Sequence, residues 1–178
     1  MKLRLSAIVF ALLLGLNSDG VLAQDAAQDH SAKVEHQTAT FAMYCYWTGE
    51  ATLGRVDGVV ASRIGHWAGR EIVQVDFDPA KTDLSELVQS LRRQRSFDAV
   101  VLAEGESAEQ AKAVSSAVIQ ASGSPHFIEP KHSLRTRYPA LWALGLDEEQ
   151  AIALNSWSYF GGPRPDVLTE EQLQALAR

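Results

Sequence analysis

The stretch "REIVQVDFDPAKTDLSELVQSLRRQRSFDAVVLAE", residues 70–104, carries the pattern that decides the fold. Its first part sets Ile72, Val73, Val75 and Phe77 against Glu71, Gln74, Asp76 and Asp78, then stops at Pro79. That is a strand ended by a residue that cannot donate to a ladder. Thr82 or Asp83 opens a helix in which Leu84, Leu87, Val88 and Leu91 recur at helical spacing, and Arg92, Arg93 and Arg95 lie near its negative end. "FDAVVLAE" (97–104) is the next strand.

Working toward the N-terminus, "VVASRIGHW" (59–67) reads as a strand, Gly65 and Gly69 bracket a loop, and Asp57-Gly58 is a turn. A short helix is expected over Gly49 to Val56, capped by Thr48 or Gly49, after the aromatic-rich strand "TATFAMYCYW" (38–47). The order strand, helix, strand, strand, helix, strand predicts an α+β fold with a ferredoxin-like split βαβ core over 38–104. That core is an antiparallel four-stranded sheet with its helices on one face. Residues 105–178 are expected to form a mainly helical C-terminal extension packed on the core. Ser107 to Ile119 is helical in this reading, "SPHFIEP" is extended, and "LDEEQAIALNSW" and "LTEEQLQALA" are capped helices.

The 178-residue chain opens with Lys2 and Arg4, an apolar run from Leu5 to Leu16, and "VLA". This predicts a signal peptide over 1–23, cleaved after Ala23, and a periplasmic or secreted protein. Residues 24–37 are polar and aperiodic, a flexible lead-in. No other segment is apolar enough to span a membrane. Removing Lys2, Arg4 and Asp19 takes 16 basic and 22 acidic residues to 14 and 21, a net charge of about −7. An acidic chain without a basic run is unsuited to nucleic acid.

Cys45 is the only cysteine, so it cannot form an internal disulfide. In an oxidising space a lone thiol is either a buried core residue, here packed by Tyr44, Tyr46 and Trp47, or a thiol kept for chemistry or metal. At the end of a first strand, just before a helix, it faces unsatisfied N–H groups that favour thiolate over thiol. Met43 and Cys45 together offer a thioether and a thiolate to Cu(I), with Thr48 where a second cysteine would complete a heavy-metal-binding motif. The five histidines show no zinc spacing.

The residues around Cys45 resemble the active-site region of peptide methionine-(S)-sulfoxide reductases over about residues 38–91. That family carries ATFAGGCFWxxE, a GV turn, a strand ending G-Y-x-G-G, and G-H-A-E-V-V-x-V-x-Y-D-P. Here Cys45 falls on the nucleophile, Tyr46 on the phenylalanine, Trp47 on the tryptophan and Glu50 on the glutamate. Gly58-Val59 matches the GV, His66 stands for the tyrosine of the glycine loop, Glu71 falls on the catalytic acid, and Asp78-Pro79 on the D-P. "LSELVQSL" (84–91) resembles the helix that follows.

The resemblance implies that Cys45 attacks a sulfoxide sulfur, Glu71 protonates its oxygen, and Tyr46 and Trp47 enclose the methyl group. The family loops that carry oxygen-binding tyrosines have no counterpart here, nor do the resolving cysteines. Tyr44 or His66 is then the residue at hand to replace a lost oxygen donor. With Cys45 alone, no cofactor is expected beyond an external thiol or thioredoxin-like reductant, and the partner is a methionine-sulfoxide-containing peptide or protein. Two other readings stand beside this one: a non-catalytic redox-sensing or interaction protein of the same fold, and a Cu(I)-binding domain using Met43 and Cys45.

Overall fold

The computed structural model describes residues 35–177. The expected leader, and the lead-in up to residue 34, lie outside the described residues. The chain runs β1 (Gln37–Met43), α1 (Tyr46–Leu53), β2 (Val59–Trp67), β3 (Arg70–Phe77), α2 (Leu84–Arg93) and β4 (Phe97–Ala103). It continues as α3 (Glu109–Val114), β5 (Val118–Ala121), β6 (His126–Ile128), α4 (His132–Arg137), α5 (Pro139–Trp142), α6 (Glu148–Phe160) and α7 (Glu170–Leu176).

The fold is α+β, but the sheet is not the four-stranded antiparallel ferredoxin-like sheet expected. It has six strands in the order β5-β4-β1-β3-β2-β6 and is mixed, because β5 runs parallel to β4. Both extra strands come from the segment read as extension. The expected helix over Ser107–Ile119 stops at Val114, and β5 follows it. The β-branched pair Val118-Ile119 suits a strand edge better than a helix end. On the opposite edge β6 pairs with β2, His126 opposite His66 and Phe127 opposite Gly65. Gly65 is required there: a Cβ would lie 2.1 Å from the His126 carbonyl oxygen. It belongs to β2 rather than to a loop. The β2–β3 connection is a two-residue hairpin, Ala68-Gly69, with φ of 49° and 73°.

Alternation along the strands sorts side chains onto two faces. Phe41, Met43, Ile64, Val73, Val75 and Phe77 form one core with Leu53 of α1, Leu87, Val88 and Leu91 of α2, and Ile152 of α6. Ala42, Ile72, Ala99, Val101 and Trp67 form a smaller cluster with Ala121 of β5. Asp83 caps α2, accepting the Glu86 N–H at 2.9 Å. Asp147 and Thr169 form capping boxes at α6 and α7, as their sequences predict. No helix among the described residues is long and apolar enough to cross a membrane.

Candidate functional site

The first helix begins three residues earlier than its sequence suggests. Cys45 is its N-cap, with an extended backbone (φ −148°, ψ 112°) and no capping bond from its side chain. Gly49 lies inside α1, where it lets the helix settle onto the sheet: an added Cβ would come within 2.5 Å of Met43 Cε and 3.0 Å of Val73 Cγ2. The half-buried Cys45 thiol is thereby held at the positive end of a helix packed directly on β1 and β3. The Cys45 carbonyl accepts from the Gly49 N–H and the Ser96 hydroxyl, each at 3.1 Å, which pins the turn.

Glu71 reaches the same turn. The Tyr46 N–H, the first of the orphan donors of α1, donates to Glu71 Oε2 at 2.9 Å. The pleat accounts for this placement. Glu71 lies in the row of Val73, Val75 and Phe77, so it is the polar end of a buried face, directly opposite Met43 on β1 and His66 on β2. The short hairpin fixes that register. The Tyr46 hydroxyl is held above its ordinary pKa by burial and by the negative charges of Glu71 and Cys45, which places all three groups in one electrostatic neighbourhood. The phenol therefore stays protonated, an O–H donor.

Beside the thiol runs a continuous aromatic wall. Tyr46 packs edge-to-face against His66 (centroids 5.6 Å apart) and against Trp47 (5.7 Å). Trp47 in turn stacks on His132 of α4 at 4.3 Å, the planes 8° apart. Trp47 remains 40 % exposed, so the wall faces solvent.

Of the residues singled out from sequence, Cys45, Tyr46, Trp47, His66 and Glu71 come together. Tyr44 does not: it is 72 % exposed, and its backbone N–H is tied to Ser96 O on the β4 side. Met43 is buried in the core beneath α1. Glu50 is only 2 % exposed. It accepts from the Lys131 N–H (3.0 Å), Asn155 Nδ2 (3.2 Å) and Ser62 Oγ (3.3 Å), with Lys131 Nζ 3.4 Å away. Lys131, 1 % exposed, also donates to Ser62 O and to Glu148 Oε1, at 2.9 and 2.7 Å. Burial pushes the Glu50 carboxyl above its ordinary range, against the opposing pull of Lys131. This network ties α1 to the C-terminal segment.

Sequence reasoning missed the contribution of that segment. His132 backs Trp47, Lys131 neutralises Glu50, and Tyr159 of α6 shares a 2.6 Å hydrogen bond with Thr48 in the first turn of α1. Between α1, α4 and α6 these residues leave a cleft of about 220 Å³, lined by Trp47, Glu50, His132, Ser133, Asn155 and Tyr159 among others. Nothing in the sequence around Lys131, Glu129-Pro130-Lys131-His132, distinguishes it from a surface lysine.

No family model matches the chain. The chain is 29 % identical over 72 residues to a peptide methionine sulfoxide reductase of Drosophila melanogaster, covering 33 % of this chain and 29 % of the relative. It is 33 % identical over 72 residues to the peptide methionine sulfoxide reductase MsrA of Geobacter metallireducens, covering 31 % of this chain and 44 % of that protein. The chain thus spans under half the length of these curated relatives. About a third of the chain carries a divergent, partial likeness to peptide methionine sulfoxide reductases.

Proposed function

We propose that the protein reduces methionine-(S)-sulfoxide in peptides or proteins, with Cys45 as nucleophile and Glu71 as acid. The observation that carries this reading is the bond from the Tyr46 N–H to Glu71, which fixes a carboxyl group at the amide next to the thiol. The Cys45 thiolate attacks the sulfoxide sulfur while Glu71 delivers a proton to the oxygen. The net result is oxygen transfer: the substrate sulfur gains two electrons and becomes a thioether, and the Cys45 thiol becomes a sulfenic acid. Two equivalents of an external thiol, or one thioredoxin-like dithiol, then restore Cys45 and release a disulfide and water. No metal or organic cofactor takes part. Tyr46 and Trp47 give the substrate methyl group an apolar surface, and the Tyr46 hydroxyl adds a donor beside Glu71 where the family's tyrosine loops are missing. In this reading Glu50 acts from beneath, as the buried anchor of α1, and His66 flanks Tyr46. The leader over 1–23 would export the chain, placing the activity in the periplasm or outside the cell as repair of oxidised protein.

The test is turnover of a methionine-(S)-sulfoxide peptide with dithiothreitol, monitored as thioether product. Wild type is expected to turn over and Cys45→Ser to be inert. Equal rates for the two would overturn the proposal. The two-residue hairpin at Ala68-Gly69, where the family has a tyrosine-bearing loop, favours one second reading: a redox sensor in which Cys45 is oxidised without repeated turnover. Single-turnover product without steady-state turnover, under any thiol reductant, would favour the sensor.

A further inference from the structure

The cleft on the far side of Trp47 has a one-sided chemistry. Its acceptors are already engaged: both Glu50 oxygens take protein donors, and Asn155 Oδ1 takes the Leu134 N–H at 3.1 Å. Its donors are not. Ser133 Oγ is, among the described residues, the buried side-chain polar atom left without a hydrogen-bond partner. Ser133 is only 7 % exposed and lines the cleft. A buried hydroxyl without a partner carries an uncompensated desolvation cost, so a ligand that engages it gains what the fold alone forgoes. Arg137, also on the lining, commits Nη1 to Ser158 O at 2.8 Å, leaving most of its five N–H donors free. The Tyr159 hydroxyl, on the same lining, is engaged with Thr48 at 2.6 Å. A small space offering a free hydroxyl and free guanidinium N–H groups is suited to a carboxylate.

Trp47 is a wall of this cleft and also packs on Tyr46, next to Cys45. A ligand with its sulfur at Cys45 would pass along Trp47 to set its carboxylate in the cleft. Resting on the proposed function, we infer that the cleft is a subsite for the α-carboxylate of the sulfoxide-bearing residue, so that free or chain-terminal methionine-(S)-sulfoxide is preferred over internal residues.

The experiment compares N-acetyl-methionine-(S)-sulfoxide with its neutral methylamide as substrates, and titrates the protein with N-acetylnorleucine and its methylamide by amide and indole NMR. A preference of about tenfold in kcat/KM for the carboxylate is expected, the scale of one charge-assisted hydrogen bond. It should fall toward unity in Ser133→Ala and in Arg137→Gln, with thermal melts confirming that each variant is folded. N-acetylnorleucine should shift the Ser133 and Tyr159 amides and the Trp47 indole, and its methylamide should not. Equal kcat/KM values, or norleucine shifts that map elsewhere or match those of the methylamide, would overturn the subsite. Should N-acetylnorleucine bind in the cleft while neither sulfoxide is reduced, the subsite stands and the reductase reading falls.

Discussion

Lys131→Met is the perturbation that most sharply probes how the C-terminal segment holds α1 in place. Methionine keeps the length of the side chain, and the left-handed backbone at this position (φ 59°) is no harder for it than for lysine. What is lost is the positive charge 3.4 Å from a Glu50 carboxylate that is only 2 % exposed, along with the donors to Ser62 O and to the half-exposed Glu148. Removing one partner of a buried pair costs about 3–5 kcal/mol, far more than the pair contributes over an apolar replacement of both. The lost bond to Ser62 O accounts for about 1 kcal/mol of this and does not depend on pH. The rest does. The Glu50 carboxyl already sits above its ordinary range, so the folded state holds its proton more tightly than the unfolded chain does, and the stability this group contributes declines as pH rises through its folded pKa. Without Lys131 that pKa moves higher still, and the decline extends further.

The variant should therefore lie close to wild type near pH 4.5 and fall behind it toward pH 8. The gap widens by at most about 1.4 kcal/mol per pH unit, the limit for one proton. Urea unfolding at a series of pH values, followed by tryptophan fluorescence, measures it. A constant difference across pH, or a loss below about 1 kcal/mol at pH 8, would refute the claim that Lys131 balances a buried charge on Glu50.

Further outcomes follow from the site and its frame. Glu71→Gln keeps an acceptor for the Tyr46 N–H, so the fold should be retained, but the acid is lost. The proposed sulfoxide reduction should slow by about 10²–10⁴-fold, read from single-turnover product formation. Glu71→Leu removes the acceptor as well and should in addition destabilise the protein by about 1–3 kcal/mol, read by thermal melting. Gly65→Ala forces a Cβ against the His126 carbonyl and should release β6 from β2, exposing the β2 edge to amide exchange, with a stability loss of about 1–3 kcal/mol.

Much of the architecture was legible because it rests on short-range rules. The alternation in residues 70–77, the Asp83 cap and the capping boxes at Asp147 and Thr169 all appear where the local pattern puts them. The edge strands were not legible, because "AVIQA" is too short for its period to separate strand from helix, and only pairing with β4 decides it. The start of α1 was displaced because Gly49 reads as a cap, while its real role is to admit Met43 and Val73 against the helix. Strict alternation places Glu71 with Val73, Val75 and Phe77, so a carboxylate on the buried face was visible in the sequence itself. Lys131 and Tyr159 were not visible, since they meet α1 across 81 and 111 residues of chain in the bonds to Glu50 and Thr48, and no local pattern encodes such distances.

The most direct measurement is dimedone trapping on Cys45 after exposure to a methionine-(S)-sulfoxide peptide, with the corresponding sulfone as control and no reductant present. A sulfenic-acid adduct on Cys45 with the sulfoxide alone, matched by an equivalent of thioether product, is the expected result. An alkylatable Cys45 that yields neither adduct nor thioether would show that the thiol and the Glu71 carboxyl, though brought to the same helix end, do not transfer oxygen.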